Sequence, residues 1–501
     1  MDGLLAGMSI LVNPTSLAII LMGTLAGVLI GALPGLSSTM ATALLVPFTI
    51  GMSPVNAIAL LAALYCAGTF GGSITAILIN TPGAPPAVAT ALDGYPLAQR
   101  GEAGRALGMA AVSSAIGGIF SLVVMILAAP LLARLAYDFG PPEYFALALF
   151  GLSMLSSISG ESPAKNLIGG AIGVLVSTIG VDFTTGVERF TFDQPELMDG
   201  INFIPVMIGI FAISELLGQA GTLNKVFQRV AMTAVKLPSR ADFRKVWPTI
   251  LRSSGIGTFI GILPAEGGTV AALIGYNEAK RWARNKQEFG QGAIEGIAGP
   301  EAANNAATGG AMVPTLALGI PGSATTAVIL GALIVQGLRP GPHLFTKTPE
   351  LLYAIFASML AANMMFLVLG LYGAKLFARV TLVPRTFLWP AVFMLAIMGS
   401  YALNQSLLDV WVMLIAGFVG YIGKRYGFGA APVIIGLILG ELVENSLKQS
   451  LLIFDQNWLL FLTRPIVLAF LVLTVVSLFW PVIVRALSVL NRGRTVDASN
   501  E

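Results

Sequence analysis

The chain has 501 residues, 56% of them hydrophobic and only 11% charged, with a net charge of +3. A soluble protein of this size carries about 25% charged residues, so the composition excludes a water-soluble globular chain. One cysteine, Cys66, and one histidine, His343, exclude an intrachain disulfide and argue against His/Cys metal, haem or iron–sulfur centres. No Gly-x-x-x-x-Gly-Lys-Ser/Thr loop is present, so ATP hydrolysis is not expected. No cofactor and no nucleic-acid partner are expected either.

The N-terminal run, residues 1–16, has no basic segment and no obvious cleavage site, so no removable signal peptide is expected. The first apolar stretch, Ser16–Leu33, is near the roughly 20 residues that cross a bilayer core, and Ile116–Leu132 and Pro465–Val484 repeat the pattern. The first stretch ends in Gly31-Ala-Leu-Pro34-Gly35-Leu-Ser37-Ser38-Thr39. Proline breaks a helix, glycine lets the chain turn, and hydroxyls satisfy the freed backbone or hold a ligand. A helix restarting at Ser37–Thr39 aims its amides at a position suited to a carboxylate. An ordinary Pro-kinked, packed helix reads the same locally.

A second break follows Gly71-Gly72-Ser73 and runs Asn80-Thr81-Pro82-Gly83-Ala-Pro85-Pro86. Asp93, Arg100, Glu102 and Arg105 beyond it read as a solvated turn. Asp182–Asp199 is an acidic loop with Arg189 as its one basic residue. Then comes a basic linker, Asn224–Trp247, with Lys225, Arg229, Lys236, Arg240, Arg244 and Lys245.

The pattern then recurs. Gly27-Val-Leu-Ile-Gly31-Ala-Leu-Pro34 returns about 230 residues later as Gly257-Thr-Phe-Ile-Gly261-Ile-Leu-Pro264, with Thr39 matched by Thr269. The Pro82-Gly83 break returns as Gly319-Ile-Pro321-Gly322-Ser323-Ala-Thr325-Thr326, preceded by Asn304-Asn305 and Gly309-Gly310. Pro205-Val-Met-Ile-Gly209 with Glu215 returns as Pro432-Val-Ile-Ile-Gly436 with Glu441, where both acids read as interfacial. An apolar chain with breaks at matching places is the signature of a secondary transporter. The predicted fold is all-α: a polytopic membrane protein with two structural repeats and broken helices at the midplane. Its segments are an N-terminal repeat (1–219), a linker (220–246), a C-terminal repeat (247–455), and a final helix and tail (456–501).

Charge placement bears on the orientation of the repeats. The turn Ile50–Asn56 is uncharged, while its counterpart Lys280–Lys286 holds four basic residues. The acidic Asp182–Asp199 corresponds to Tyr421–Gly429, which holds Lys424 and Arg425. Equivalent loops prefer opposite sides, which favours inversion. The linker and the C-terminus, with Arg485, Arg492 and Arg494, are expected in the cytoplasm, and Asp182–Asp199 on the opposite side.

The predicted substrate cradle is Ser37, Ser38, Thr39, Glu266, Gly267, Gly268, Thr269, Asn304, Asn305 and Ser323. The predicted coupling-ion ligands are Asn80, Thr81, Pro82, Gly83, Asn304, Pro321, Gly322, Thr325 and Thr326, because hydroxyl, amide and carbonyl oxygens flanking a break coordinate sodium. Sodium is favoured over a proton, since such oxygens outnumber membrane acids. Close packing through small residues is the competing reading of these motifs. Glu295 and Glu301 read in two ways, as functional acids at membrane depth or as solvated groups on the loop after Lys286.

With these residues in view, the chain resembles the large membrane subunit of the tripartite tricarboxylate transporters, the TctA family. The most specific segments are Ala91-Leu-Asp-Gly-Tyr-Pro-Leu97 with Gly101-Glu-Ala-Gly-Arg-Ala-Leu107, Glu295-Gly-Ile-Ala-Gly-Pro-Glu-Ala-Ala-Asn-Asn305, Gly319–Thr326 and Gly337-Leu-Arg-Pro-Gly-Pro342. The resemblance implies a bacterial inner-membrane permease importing carboxylates, citrate-like tricarboxylates among them, on a cation gradient. It also implies two partners, a small four-helix membrane subunit and a periplasmic substrate-binding protein. One departure stands out. The second-half break of the family usually reads Pro-Gly-Ala-Gly, and here it is Pro264-Ala265-Glu266-Gly267. A carboxylate there repels an anionic substrate unless it is protonated, bound to a cation or turned away. Two rival classes are a passive organic-anion channel, which needs a continuous lined pore, and a membrane-embedded enzyme, for which no nucleophile–base pair is evident.

Overall fold

The computed structural model describes residues 7–157, 162–182, 184–222, 235, 237–263, 267–373, 376–377, 379, 383 and 385–479. Helices dominate. In chain order they are α1 (Pro14–Gly31), α2 (Ser38–Leu45), α3 (Pro54–Ile79), α4 (Ala87–Leu97), α5 (Ala103–Leu135), α6 (Pro141–Ser153), α7 (Pro163–Ser177), α8 (Phe203–Ile208) and α9 (Ser214–Gln219). After the linker come α10 (Arg240–Ile262), α11 (Gly267–Trp282), α12 (Glu295–Leu318), α13 (Ala324–Val335), α14 (Pro342–Lys347) and α15 (Pro349–Tyr372). The last are α16 (Arg385–Asn404), α17 (Leu407–Arg425), α18 (Ala430–Ile453) and α19 (Pro465–Phe479). Among the described residues the only strands are β1 (Gly180–Val181) and β2 (Glu188–Arg189), a two-residue antiparallel pair. Seven described helices are long and apolar enough to cross a membrane. The chain is a multi-pass α-helical membrane protein.

Local chemistry sets the helix ends. Asn13 accepts hydrogen bonds from the Thr15 and Ser16 amides, with Pro14 opening α1. Ser37 caps α2 through the Met40 amide, and Ser53 caps α3 ahead of Pro54. Ser239 and Asp242 form a reciprocal capping box on α10, as Ser323 and Thr326 do on α13. The second break in each half of the sequence is reached in the same way. Asn80 (φ 52°) ends α3 and Gly319 (φ 72°) ends α12, both left-handed. The chain then folds back: the Gly83 amide donates to the Gly72 carbonyl, and the Gly322 amide to Thr315 Oγ1, both at 3.3 Å.

Packing divides the chain into two compact units, residues 1–137 with 202–422, and residues 138–201 with 423–501. Each unit therefore draws on both sides of the linker. In the first unit α12 packs chiefly on α5 and α10, and α1 on α3. These pairs approach closely. A Cβ added at Gly27 would lie 2.6 Å from the Leu64 carbonyl, and one at Gly257 only 2.1 Å from the Ala303 carbonyl. The second unit crosses α7 on α18 at Gly173 and Gly436. It also holds a charge network in which Lys448 Nζ donates to Asp182 at 2.5 Å and both Lys448 and Arg189 contact Glu444. The Lys448 ammonium, followed by the Thr184 amide, holds the largely covered Asp182 carboxyl well below the usual carboxylate range.

The solvated turn expected at Asp93–Arg105 is corrected in part. Asp93 is fully buried, and its Oδ1 accepts from the amides of Gly290, Gly292 and Ala293, each at 2.8 Å. These partners lie about 200 residues away, so the local charge pattern did not reveal them. Arg105 pairs with Glu102 at 2.7 Å and with Asp242 at 2.5 Å.

Asp93 thus pins the turn between α11 and α12. Asp93→Ala leaves three amides without their acceptor and is expected to cost about 3–5 kcal/mol. Asp93→Asn keeps an acceptor oxygen and is expected to cost less. Thermal unfolding of the detergent-solubilised variants measures both. Equal melting of Asp93→Ala and wild type would refute the role.

Candidate substrate and ion site

The first unit contains a partly open cavity of about 100 Å³. It is lined by Ser37, Ser38 and Thr39 at the start of α2, by Tyr65 and Thr69 on α3, and by Ala84, Pro85 and Pro86 ahead of α4. From later in the chain come Gly268 and Thr269 at the start of α11, Asn304 and Thr308 on α12, and Ser323, Ala324 and Thr325 at the start of α13. Four helices therefore begin at this one cavity, each just after a Pro/Gly break in the sequence.

The first-turn amides of a helix have no partner in their own helix, and the aligned peptides add a partial positive charge. Capping hydroxyls satisfy part of this demand. Ser37 Oγ accepts from the Met40 amide at 3.1 Å, Ser323 Oγ from the Thr326 amide at 3.2 Å, and Thr326 Oγ1 from the Ser323 amide at 2.8 Å. Two contacts close the cavity across the sequence halves: Thr39 Oγ1 to Thr325 Oγ1 at 2.7 Å, and Tyr65 Oη to Ser323 Oγ at 3.3 Å. Gly268 keeps the wall thin. A Cβ there would sit 3.1 Å from Asn304 Oδ1 and 3.3 Å from Pro86 Cγ. No described lining residue is charged, so among the described residues hydroxyls, one carboxamide and helix starts provide the polarity. Such a surface holds an anion's oxygens without committing a fixed positive charge to it.

Of the residues expected from the sequence, Ser37, Ser38, Thr39, Gly268, Thr269, Asn304, Ser323 and Thr325 lie on this cavity. Gly267, Asn305, Asn80, Thr81, Pro82, Gly83, Pro321, Gly322 and Thr326 are not among its lining. Asn305 is buried and donates to the Glu301 carbonyl at 3.2 Å, leaving its Oδ1 without a partner. Asn80 is an exposed cap, and Gly83 and Gly322 turn their amides back onto α3 and α12. Glu266 lies outside the described residues, as do Pro264 and Ala265. Tyr65, Thr69 and Thr308 were missed. Their signal was helical spacing: Tyr65 and Thr69 are four apart on α3, and Thr308 is four beyond Asn304 on α12.

The family model for the tripartite tricarboxylate transporter TctA family matches residues 17–435. The chain belongs to this family. It is 38% identical over 460 residues to the uncharacterized 52.8 kDa protein of the TAR-I ttuC′ 3′ region of Agrobacterium vitis, covering 92% of both chains. It is 39% identical over 210 residues to an uncharacterized protein of the TAR-II ttuC′ 3′ region of the same organism, covering 42% of this chain and 87% of the relative. No solved structure matches. As a TctA-family member the chain is a transporter subunit and not an enzyme.

Two substitutions probe the cavity. Asn304→Ala removes its one carboxamide, and Thr325→Ala removes the Thr39 contact. Each is expected to raise the KM for uptake about tenfold, the equivalent of one good polar contact. Thr325→Ser keeps the hydroxyl and is expected to stay near wild type. Unchanged KM in well-folded alanine variants would assign these residues to packing.

Proposed function

We propose that this chain is the permease subunit of a cation-coupled importer for tricarboxylates or related organic carboxylates. The observation that carries the reading is the start of four helices at one cavity whose described lining is hydroxyl-rich and free of charged side chains. An anion bound there gains from each helix start, about 0.3–1 kcal/mol apiece and more where water is excluded. Membership of the TctA family supports the substrate class. In this reading Ser37, Ser38, Thr39, Gly268 and Thr269 hold the substrate carboxylates, and Asn304, Ser323 and Thr325 complete the site. Glu266 precedes the first residue of α11 in sequence and is retained as an ionisable neighbour of the substrate. Sodium is the proposed principal coupling ion, held by hydroxyl and carbonyl oxygens near the second pair of breaks.

The proposal includes a bacterial inner-membrane location, inverted repeats, a small four-helix membrane subunit and a periplasmic binding protein that delivers the substrate. Among the described segments between helices, Asp182–Asp199 is the most acidic. The positive-inside rule puts that loop in the periplasm and the linker around Arg240 in the cytoplasm. Single cysteines placed at positions 193 and 240 in a Cys66→Ala background test this. An impermeant thiol reagent applied from outside is expected to label position 193 and spare 240, and the reverse pattern would overturn the orientation.

Uptake is tested in proteoliposomes holding both membrane subunits, with labelled citrate, succinate, tartrate and glutarate. Saturable accumulation that requires the binding protein and collapses with the sodium gradient is expected. Non-saturable flux along the substrate gradient alone would make the protein a channel. Full-rate uptake without the binding protein would remove that partner from the mechanism.

A further inference from the structure

Glu301 is completely buried on α12, one turn before the cavity residue Asn304. Its Oε1 accepts a hydrogen bond from Thr90 Oγ1 of α4 at 2.5 Å, and its Oε2 accepts one from Ser114 Oγ of α5 at 2.7 Å. Both hydroxyls are themselves buried. Among the described residues Glu301 takes part in no ion pair, and only these two hydroxyls act on it besides its burial.

The surrounding charges are engaged elsewhere. On α4, Asp93 lies one turn from Thr90 and is taken up by the amides of the α11–α12 turn. On α5, Arg105 lies nine residues before Ser114 and pairs with Glu102 and Asp242. On α10, Lys245 pairs with Glu288 and with Glu295, the other acid of α12, both at 3.2 Å. The buried ionisable side chains of α3 and α11 are Tyr65, Cys66 and Tyr276, while on α11 Glu278 pairs with Arg281 at 3.1 Å and Lys280 is exposed. His343, the sole histidine, belongs to α14, which meets α12 at its far end near Leu316.

A buried carboxylate with two hydroxyl donors and no counter-charge is not satisfied as an anion in an apolar interior. It is satisfied when it binds a proton. Two hydroxyls and one carboxyl group are too few oxygens to enclose a sodium ion, which wants a fuller oxygen shell. We infer that Glu301, held between Thr90 and Ser114, is a proton-binding site that couples carboxylate transport to the proton gradient, in addition to any sodium site. One proton binds a carboxylate oxygen when the site faces one side and leaves to water when it faces the other. No other bond changes. The inference rests on the proposed carrier function and deepens it.

The test uses the complete transporter in proteoliposomes, with labelled citrate, succinate, tartrate and glutarate as probes. For wild type, an imposed pH gradient without a sodium gradient is expected to drive accumulation of at least one of them. Glu301→Gln keeps the shape and cannot release a proton. It is expected to lose pH-driven accumulation by more than about tenfold while retaining substrate exchange across the membrane at equal pH. A merely structural glutamate would lose both together or neither. Thr90→Val and Ser114→Ala each remove one hydroxyl, and each is expected to move the pH of half-maximal uptake by about one unit. They keep the inference testable if Glu301→Gln fails to fold. Wild-type accumulation that ignores the pH gradient, or variants whose pH profiles match wild type, would overturn the role of Glu301 and leave the sodium-coupled carrier standing. A wild type that exchanges none of the four probes would instead overturn the carrier reading, and this inference with it.

Discussion

The structure depends on one constraint: a helix interrupted inside an apolar protein must satisfy the backbone groups it frees. In water a broken helix end is solvated. Here the ends at Gly31, Ile79 and Leu318 give way to short turns, and the helices that follow, together with α11, start at the same cavity. The capping hydroxyls of Ser37, Ser323 and Thr326 answer part of the demand. Left-handed Asn80 and Gly319 let the chain double back so that Gly83 and Gly322 find partners on the helix just left. What the protein leaves unanswered, at the first turns facing the cavity, is available to a ligand. The tight α1–α3 and α10–α12 contacts follow from the same constraint, because glycine lets neighbouring backbones enclose the breaks.

The proposed anion site differs in strength from one built on arginine. Bidentate guanidinium–carboxylate pairs in a dry site bind firmly and release slowly. Several helix starts and hydroxyls each contribute little, so occupancy responds to small rearrangements such as parting Thr39 from Thr325. A carrier has to release what it captures, and a site assembled from weak, separable parts on different helices suits that demand. None of the firm charge pairs of the described chain, at Arg105–Asp242, Lys448–Asp182 and Arg464–Glu143, uses a residue that lines the cavity.

Much of this was legible in the sequence, and the exceptions share a cause. Composition alone indicates membrane-spanning helices. Proline beside glycine marks the interruptions, and hydroxyls beside them mark most of the cavity wall. Tyr65 stayed hidden because its partner Ser323 lies 258 residues away, and Thr69 and Thr308 because a hydroxyl within a helix can bond its own preceding turn. Thr69 does so with the Tyr65 carbonyl at 2.9 Å, and Thr308 with that of Asn305 at 2.7 Å. Asp93 was misread because the charged residues after it suggested water, while its three partners are about 200 residues downstream. The division into two units was hidden for the same reason: residues 138–201 find their packing partners beyond residue 423, and nothing local encodes that.

Helix α12 joins these strands of the argument. Every residue from Glu295 to Ala317 is buried, so the helix is solvent-free along nearly its full length. At 1.5 Å per residue, Glu301 and Asn304 are about 4.5 Å apart along the axis. They cannot move independently without breaking the helix between them. Thr90 holds Glu301 from α4, which starts at the cavity, while Ser114 holds it from α5. A shift of the α4 start that opens the cavity therefore also alters the hydrogen bonding of Glu301. If Glu301 binds the proposed proton, linkage runs both ways: a ligand that favours one position of α4 changes the affinity of Glu301 for that proton, and the proton changes the affinity for the ligand by the same factor. Coupling of this kind needs no long pathway, because one helix carries both groups.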